Sequence, residues 1–392
     1  MTNINKLLQS TTVEWKTLGE VATITIGEFV HQNNQDNSAE FPVYNGGISP
    51  TGYYDKFNNS GNKIIVSARG ANAGFVNRIS KPYWAGNSCY SVGIKNEDDF
   101  DWLFVYYYLK NGENKLISNQ QKGSIPSVSK SQIEKLLIPI PPLKIQQEIV
   151  AILDKFTLLT AELTAELTAE LTARKKQYEY YREQLLMVND KGLMNNGVKA
   201  EWKTLGEVVI KSYSGSTPLA GNSNFYENGT IPWLRTQEVK FTDIYFTEIF
   251  ITDFALNQTS VKWIPSNCVI IAMSGATAGR SAINKIPLTT NQHCLCLEVN
   301  QEIANYRYVF HWVSFNFMNI KNIGQGARGD LNSSMIKNFK IPIPPLSEQE
   351  RIVTILDKFD TLTNSISEGL PKEIELRKKQ YEYYREKLLT FV

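Results

Sequence analysis

The chain has 392 residues, 41 Lys+Arg against 39 Asp+Glu, a net charge of +2 and 42% apolar residues. That mix fits a folded chain of two or three domains and excludes a disordered tail, while the balanced charge argues against a polybasic, histone-like DNA binder. No apolar run approaches the roughly 18 residues of a membrane span. The start shows no basic cluster leading into an apolar stretch, and Cys89, Cys268, Cys294 and Cys296 form no CxxC pair, so the expectation is a reduced, cytoplasmic protein.

Read in chain order, the sequence repeats itself. After a segment at 1–13, Glu14-Trp15-Lys16-Thr17-Leu18-Gly19-Glu20-Val21 returns unchanged at Glu201–Val208. Ile-Pro-Ile-Pro-Pro-Leu at 138–143 returns at 341–346, Leu-Asp-Lys-Phe at 153–156 returns at 356–359, and Arg-Lys-Lys-Gln-Tyr-Glu-Tyr-Tyr-Arg-Glu at 174–183 returns at 377–386. The last three pairs share an offset of 203, the first an offset of 187, so the second copy carries 16 more residues between its first and second motifs. A tandem duplication follows: a body at 14–140, a central helix at 141–192, a second body at 193–340 and a C-terminal helix at 341–392.

The bodies alternate short β-rich runs, such as Lys63–Ser67 and Cys268–Ala272, with Gly, Asn, Ser and Pro, which predicts mostly-β domains. Arg69-Gly-Ala-Asn-Ala-Gly74 resembles Ser274-Gly-Ala-Thr-Ala-Gly279, so the two bodies are expected to share a fold and differ in surface. The first tail has neither Gly nor Pro from Lys144 to Lys191 and predicts one helix of roughly 70 Å, stopped at Gly192. Within it Thr-Ala-Glu-Leu occurs three times from Thr160, placing Leu163, Leu167 and Leu171 on one slowly winding ridge. The second tail is the natural partner for that ridge, as an antiparallel coiled coil, and Pro371 predicts a kink there. The fold class expected is α+β: two similar mostly-β domains separated by two long helices with pseudo-twofold symmetry.

Catalytic signatures are poor. There is no phosphate-binding GxxxxGK[ST] loop and no dinucleotide loop. The Ile-Pro-Pro-Leu motifs lack the Asn or Asp and the aromatic residue that an adenine methyltransferase places around its prolines, so they read as turns into the helices. Trp15 and Trp202 read as anchors of body to helix end, and alternation in a strand puts Cys294 and Cys296 on one buried face rather than on a metal. His31, His293 and His311 are too scattered for an acid–base site.

Two dissimilar bodies alternating with near-identical helices, the TAEL array and the PIPPL motifs resemble the specificity subunit (HsdS) of type I restriction–modification enzymes across the whole chain. The array is most similar to the type IC subfamily. Ser214-Gly-Ser-Thr-Pro218 and Ile231-Pro-Trp-Leu-Arg235 add to the likeness. The resemblance implies that each body is a target recognition domain for one half of a bipartite, asymmetric DNA sequence, and that the helices set the spacer. It also implies two docked methyltransferase subunits and two motor–nuclease subunits. The chain itself would be non-catalytic and bind no cofactor, with S-adenosylmethionine, ATP and Mg on its partners. A coiled-coil scaffold with two protein- or glycan-binding domains is the alternative.

Neither body is basic: residues 14–140 carry 12 Lys+Arg and 12 Asp+Glu, residues 201–337 carry 11 and 10. DNA contact must therefore rest on placed charges. Arg69, Lys122, Arg235, Arg280 and Arg328 are the candidates, because they flank glycines or the IPW motif and arginine suits the guanine edge. In the repeated ten-residue block, Tyr178, Tyr181, Arg182, Tyr381, Tyr384 and Arg385 are candidate seats for a partner protein used twice. Arg328→Ala is expected to weaken DNA binding by about 1–3 kcal/mol, and gel-shift affinity equal to the parent chain's removes it as a base reader.

Overall fold

Both copies of the Glu-Trp-Lys-Thr motif are strands, and each pairs with the proline-containing strand that closes its own body. The structure is a computed structural model that describes residues 13–46, 48–118, 125–324, 330–365 and 368–391. The first body contains β1 (Glu14–Thr17), β2 (Ala22–Ile26), β3 (Phe41–Tyr44), β4 (Gly52–Tyr54), β5 (Lys63–Ser67), β6 (Val76–Ile79), β7 (Trp84–Ala85), β8 (Cys89–Ile94) and β9 (Leu137–Ile140). The second contains β10 (Glu201–Thr204), β11 (Val209–Tyr213), β12 (Ile231–Leu234), β13 (Asp243–Ile244), β14 (Phe250–Ile251), β15 (Val269–Ala272), β16 (Ser281–Asn284), β17 (Thr289–Thr290), β18 (Cys294–Val299) and β19 (Lys340–Ile343). β1 pairs antiparallel with β9 and β10 with β19, with Trp15 opposite Pro139 and Trp202 opposite Pro342.

The strand orders show that the bodies share one fold. The main sheets run β2-β8-β5-β6 and β11-β18-β15-β16-β13, and the smaller ones β4-β3-β7 and β14-β12-β17. In both small sheets the last pair is parallel, β3 with β7 and β12 with β17. The second body adds β13 alongside β16. The central strands are apolar on both faces, as a strand covered on both sides must be. Ile64 and Val66 enter a core with Phe104 and Leu153, while Ile65 turns the other way to Tyr83 and Cys89. Likewise Val269 and Ile271 face Tyr308 and Leu356, while Ile270 faces Cys294 and Cys296. The two cysteines thus share a buried face, as alternation predicts.

The chain divides into two units, Met1–Leu167 with Glu373–Val392 and Thr168–Lys372. The first helical tail is one helix over Leu143–Leu186, and the second is two helices, Leu346–Asn364 and Gly369–Leu389. In the first unit Ile149 and Leu153 share a core with Leu388 and Leu389, and Phe156 stacks on Tyr384 at 5.5 Å. In the second unit Ile352 and Leu356 share a core with Leu186, and Phe359 stacks on Tyr181 at 5.5 Å. Lower numbers on one helix meet higher numbers on the other, so each unit holds an antiparallel helix pair. Leu167 of the array is buried.

Three local expectations change. The first helix ends at Leu186, before Gly192, because the chain turns there to bring Met194 into the core beside Leu186. The interruption in the second tail lies ahead of Pro371, which sits in the first turn of the new helix, where a missing N–H costs nothing. Trp15 and Trp202 are 46% and 44% exposed rather than buried anchors, while Leu18, Val21, Leu205 and Val208 fill that role at 0%.

Gly369 has φ +77°, and a Cβ there would stand 2.5 Å from the Thr361 carbonyl oxygen. Gly369→Ala should therefore destabilise the chain by more than about 1 kcal/mol, and an unchanged urea midpoint would refute this account of the joint.

Candidate nucleic-acid interface and helix surfaces

Each body is held to a helix start by the same clamp. Gln146 is fully buried. Its amide nitrogen donates to the carbonyls of Pro141 (2.8 Å) and Asp99 (2.9 Å), and its oxygen accepts from the Asp101 N–H at 2.9 Å. Gln349 repeats this with Pro344 (2.8 Å), Ile303 (3.2 Å) and the Asn305 N–H (2.8 Å). Asp101 and Asn305 in turn cap the helices Trp102–Asn111 and Tyr306–Phe315.

About two helical turns further along each arm stands an aspartate of the repeated Leu-Asp-Lys-Phe motif, and here the copies differ. Asp154 accepts from Tyr107 Oη and pairs with Arg78 at 3.1 Å. Asp357 meets His311 Nε2 at 2.7 Å and pairs with Arg307, which also pairs with Asp243 at 3.1 Å. Burial pulls the Asp357 carboxyl upward, but hydrogen bonds from His311 and Arg307 outweigh it and hold the group below the usual carboxylate value. Burial raises neighbouring Asp360 above its ordinary value. Sequence reading missed these seats, whose only signal was an acid inside a repeated apolar motif.

The loops after β5 and β15 superpose in pattern and differ in chemistry. Gly70 (φ +90°) and Gly275 (φ +68°) open them with free space around the Cβ position, whereas Gly74 and Gly279 close them against the backbone at Ile117 and Phe317. Arg69, exposed, precedes the open glycine, and Arg280, half-buried, follows the closing one, so the two bodies offer a guanidinium from opposite ends of the same loop. Neither has an ion pair among the described residues. Arg235 is different: it bonds Glu248 at 2.7 Å and lies 3.6 Å from Glu238, so its charge is already matched. Lys122 and Arg328 lie outside the described residues. Exposed aromatics that sequence reading did not single out include Phe29, Phe57, Tyr245 and Phe246, the last 74% exposed.

The residues of the repeated ten-residue block mostly face their own unit. Tyr178 packs against Phe359, and its phenol is pushed up to about 12 by burial and by Asp360. Arg182 lies over Tyr178 and Phe315. Tyr381 bonds Thr157 at 3.0 Å, Tyr384 stacks on Phe156, and Arg385 donates to Asn111 at 3.2 Å. Tyr181 combines its stack on Phe359 with an exposed edge, and Tyr180 and Tyr383 are 59% exposed. Leu158, Leu159 and Leu376 also face outward.

Among the described residues no cluster of His, Cys, Asp or Glu has the form of a metal site. Burial pushes the thiols of Cys89 and Cys268 up to about 11 and about 12, which leaves them poor nucleophiles at neutral pH. No helix among the described residues is long and apolar enough to cross a membrane.

The duplicated body, its helix arms and its variable loops are those of a known architecture. The family model for the type I restriction modification DNA specificity domain matches residues 11–173 and 198–376, and the chain belongs to that family. It is 36% identical over its whole length to the Escherichia coli type I restriction enzyme EcoR124I/EcoR124II specificity subunit, covering 97% of it. It is 34% identical, again over its whole length and 98% of the relative's, to a putative type I specificity subunit of Haemophilus influenzae. A solved chain described under complex assembly and conformational transition of the type I R-M system matches 97% of this chain and 98% of its own, with a TM-score of 0.68 and 16% identity. The membership sets aside the scaffold alternative.

Because Asp357 is held below its ordinary value, the stability it contributes is complete above the unfolded-state carboxylate pKa. It is lost as pH falls below about 4 and through the folded-state value. Asp357→Asn should cost about 1–3 kcal/mol at pH 7 and flatten that acid limb. Parallel stability–pH curves for the two chains would show that the seat carries no such linkage.

Proposed function

We propose that this chain is the sequence-reading subunit of a type I restriction–modification complex, each body recognising one half of a bipartite, asymmetric DNA target. The observation that carries this reading is a pair of bodies with one strand order and one helix clamp whose loops differ in charge position. Identical scaffolds with unlike loops suit the reading of two unlike half-sites. Phosphate contact places such a body and base contact specifies it, and among the five candidate cations Arg69 and Arg280 are the described ones without an ion pair, suited to either role. Arg328 and Lys122 stay candidates from sequence. Arg235, matched by two carboxylates, serves by aligning the chain after β12.

The subunit is non-catalytic in this reading. Two methyltransferase subunits dock on the helix arms, where Tyr181 and its neighbours Tyr180 and Tyr383 supply exposed aromatic surface. Two motor–nuclease subunits complete the restriction enzyme. S-adenosylmethionine, ATP and Mg belong to those partners, and adenine is methylated after leaving the stack. The TAEL array supports a type IC-like placement, in a cytoplasmic complex.

A continuous helix between two readers makes half-site separation a matter of helix length and DNA phase. Each TAEL repeat adds about 6 Å of helix. Deleting Thr164–Leu167 should shorten the unread spacer by about one base pair of the ~3.4 Å rise and leave both half-site sequences unchanged. Mapping methylated adenines in cells carrying the deletion with the partner subunits checks this, and an unaltered spacer overturns it.

A further inference from the structure

We propose that the turns leading into β8 and into β18 read bases: Asn87 in the first body and Gln292 in the second each take the major-groove edge of an adenine, one in each half-site. The inference rests on the DNA-reading role proposed above and names side chains that perform it.

The two turns are one backbone carrying unlike side chains. The first joins β7 to β8, the second β17 to β18. The Gly86 N–H donates to the Tyr44 carbonyl at 2.8 Å, and the Asn291 N–H to that of Leu234 at 3.2 Å. The Ala68 and Met273 N–H groups donate to the carbonyls of Ser88 and His293, both at 2.8 Å. The segment leaving β2 or β11 presses on the same turn: a Cβ on Gly27 would collide with the Ala85 carbonyl, and one on Gly215 with that of Thr290. An indole then pins the residue after each glycine. Trp84 Nε1 donates to the Glu28 carbonyl at 2.7 Å, and Trp233 Nε1 to the Ser216 carbonyl at 3.2 Å. These tryptophans come from different strands, β7 and β12, yet fix the same point.

At matching positions this backbone presents Gly86-Asn87-Ser88 and Asn291-Gln292-His293. Asn87, Gln292 and His293 are exposed, while Gly86, Cys89, Asn291 and Cys294 around them are buried. A side chain discriminates bases only when its position is held, and the Gln292 amide is held before any ligand arrives. Thr217 Oγ1 donates to its Oε1 at 2.6 Å, and its Nε2 lies 3.2 Å from His293 Nε2. An amide oxygen has two lone pairs and its nitrogen two protons, so one of each stays open, which is the pair that adenine N6 and N7 require. Charge placement agrees. Arg69 follows Ala68, which bonds the first turn, and the Arg280 carbonyl accepts from Ala272, the residue paired with Cys294. Each turn therefore has one of these two arginines within two strand spacings, about 10 Å, where it can hold a neighbouring phosphate.

The test uses the full chain with its partner subunits and measures competition by duplexes that each carry one base-pair change in the parental target. A parental chain without any preference among duplexes overturns the DNA-reading role and this assignment with it. Given that preference, Gln292→Ala should cut discrimination at one adenine of one half-site at least tenfold and leave every other position within twofold. Asn87→Ala should do the same in the other half-site. Gln292→Glu keeps the shape of the side chain but only accepts hydrogen bonds, so it should move the preference at that position from adenine to cytosine. The assignment falls, with the DNA-reading role intact, if discrimination is unchanged at every position, if its loss is spread evenly, if both alanine variants act on one half-site, or if Gln292→Glu still prefers adenine.

Discussion

A single buried amide side chain in each copy fixes where a body meets its helix. Gln146 and Gln349 satisfy both amide protons and the carbonyl oxygen with backbone partners from two directions, the proline turn and the loop ahead of the body's own helix. A fully satisfied buried polar group specifies one geometry, because any other leaves donors and acceptors unpaired at a cost of about 1–3 kcal/mol each. The proline turn cannot drift relative to the body without breaking this set. The body's entry strand, its closing strand and the first turn of the arm therefore behave as one piece, and whatever the loops read is read from a fixed platform.

Beyond the clamp, the copies diverge while keeping the same mechanical task. Asp154 and Asp357 occupy one place in a repeated motif, yet one is held by a phenol and an arginine from a strand, the other by an imidazole and an arginine from a helix. Packing constrains the aspartate and the apolar residues around it, Leu153 and Leu356, more tightly than it constrains the group across from it. The same holds in the loops: the open and closing glycines persist in both bodies, and the arginine moves from one end of the loop to the other.

The duplication, the mostly-β bodies, the long central helix and the antiparallel helix pairing were legible because they rest on periodicity and on verbatim repeats. Cys294 and Cys296 were legible for the same reason, since strand alternation dictates a common face. What escaped the sequence depends on distant partners. Gln146 and Gln349 look like ordinary surface residues of a helix start until the Asp99 and Ile303 carbonyls are in place. Trp15 and Trp202 read as anchors of body to helix end, but on β1 and β10 they stand nearly half-exposed. The early end of the central helix is a tertiary effect, set by the insertion of Met194 rather than by local propensity. Arg235 could not be told apart from Arg69 or Arg280 until Glu238 and Glu248 were seen to claim it.

The outward leucines of the arms carry a cost in the cell. Leu158, Leu159 and Leu376 present apolar surface on helices that have no further core of their own to cover it, and such surface promotes self-association and recognition by quality-control machinery. A chain made in excess over whatever covers those arms would be removed or would precipitate. Supply of this subunit would then adjust itself to that of its companions without a dedicated regulator.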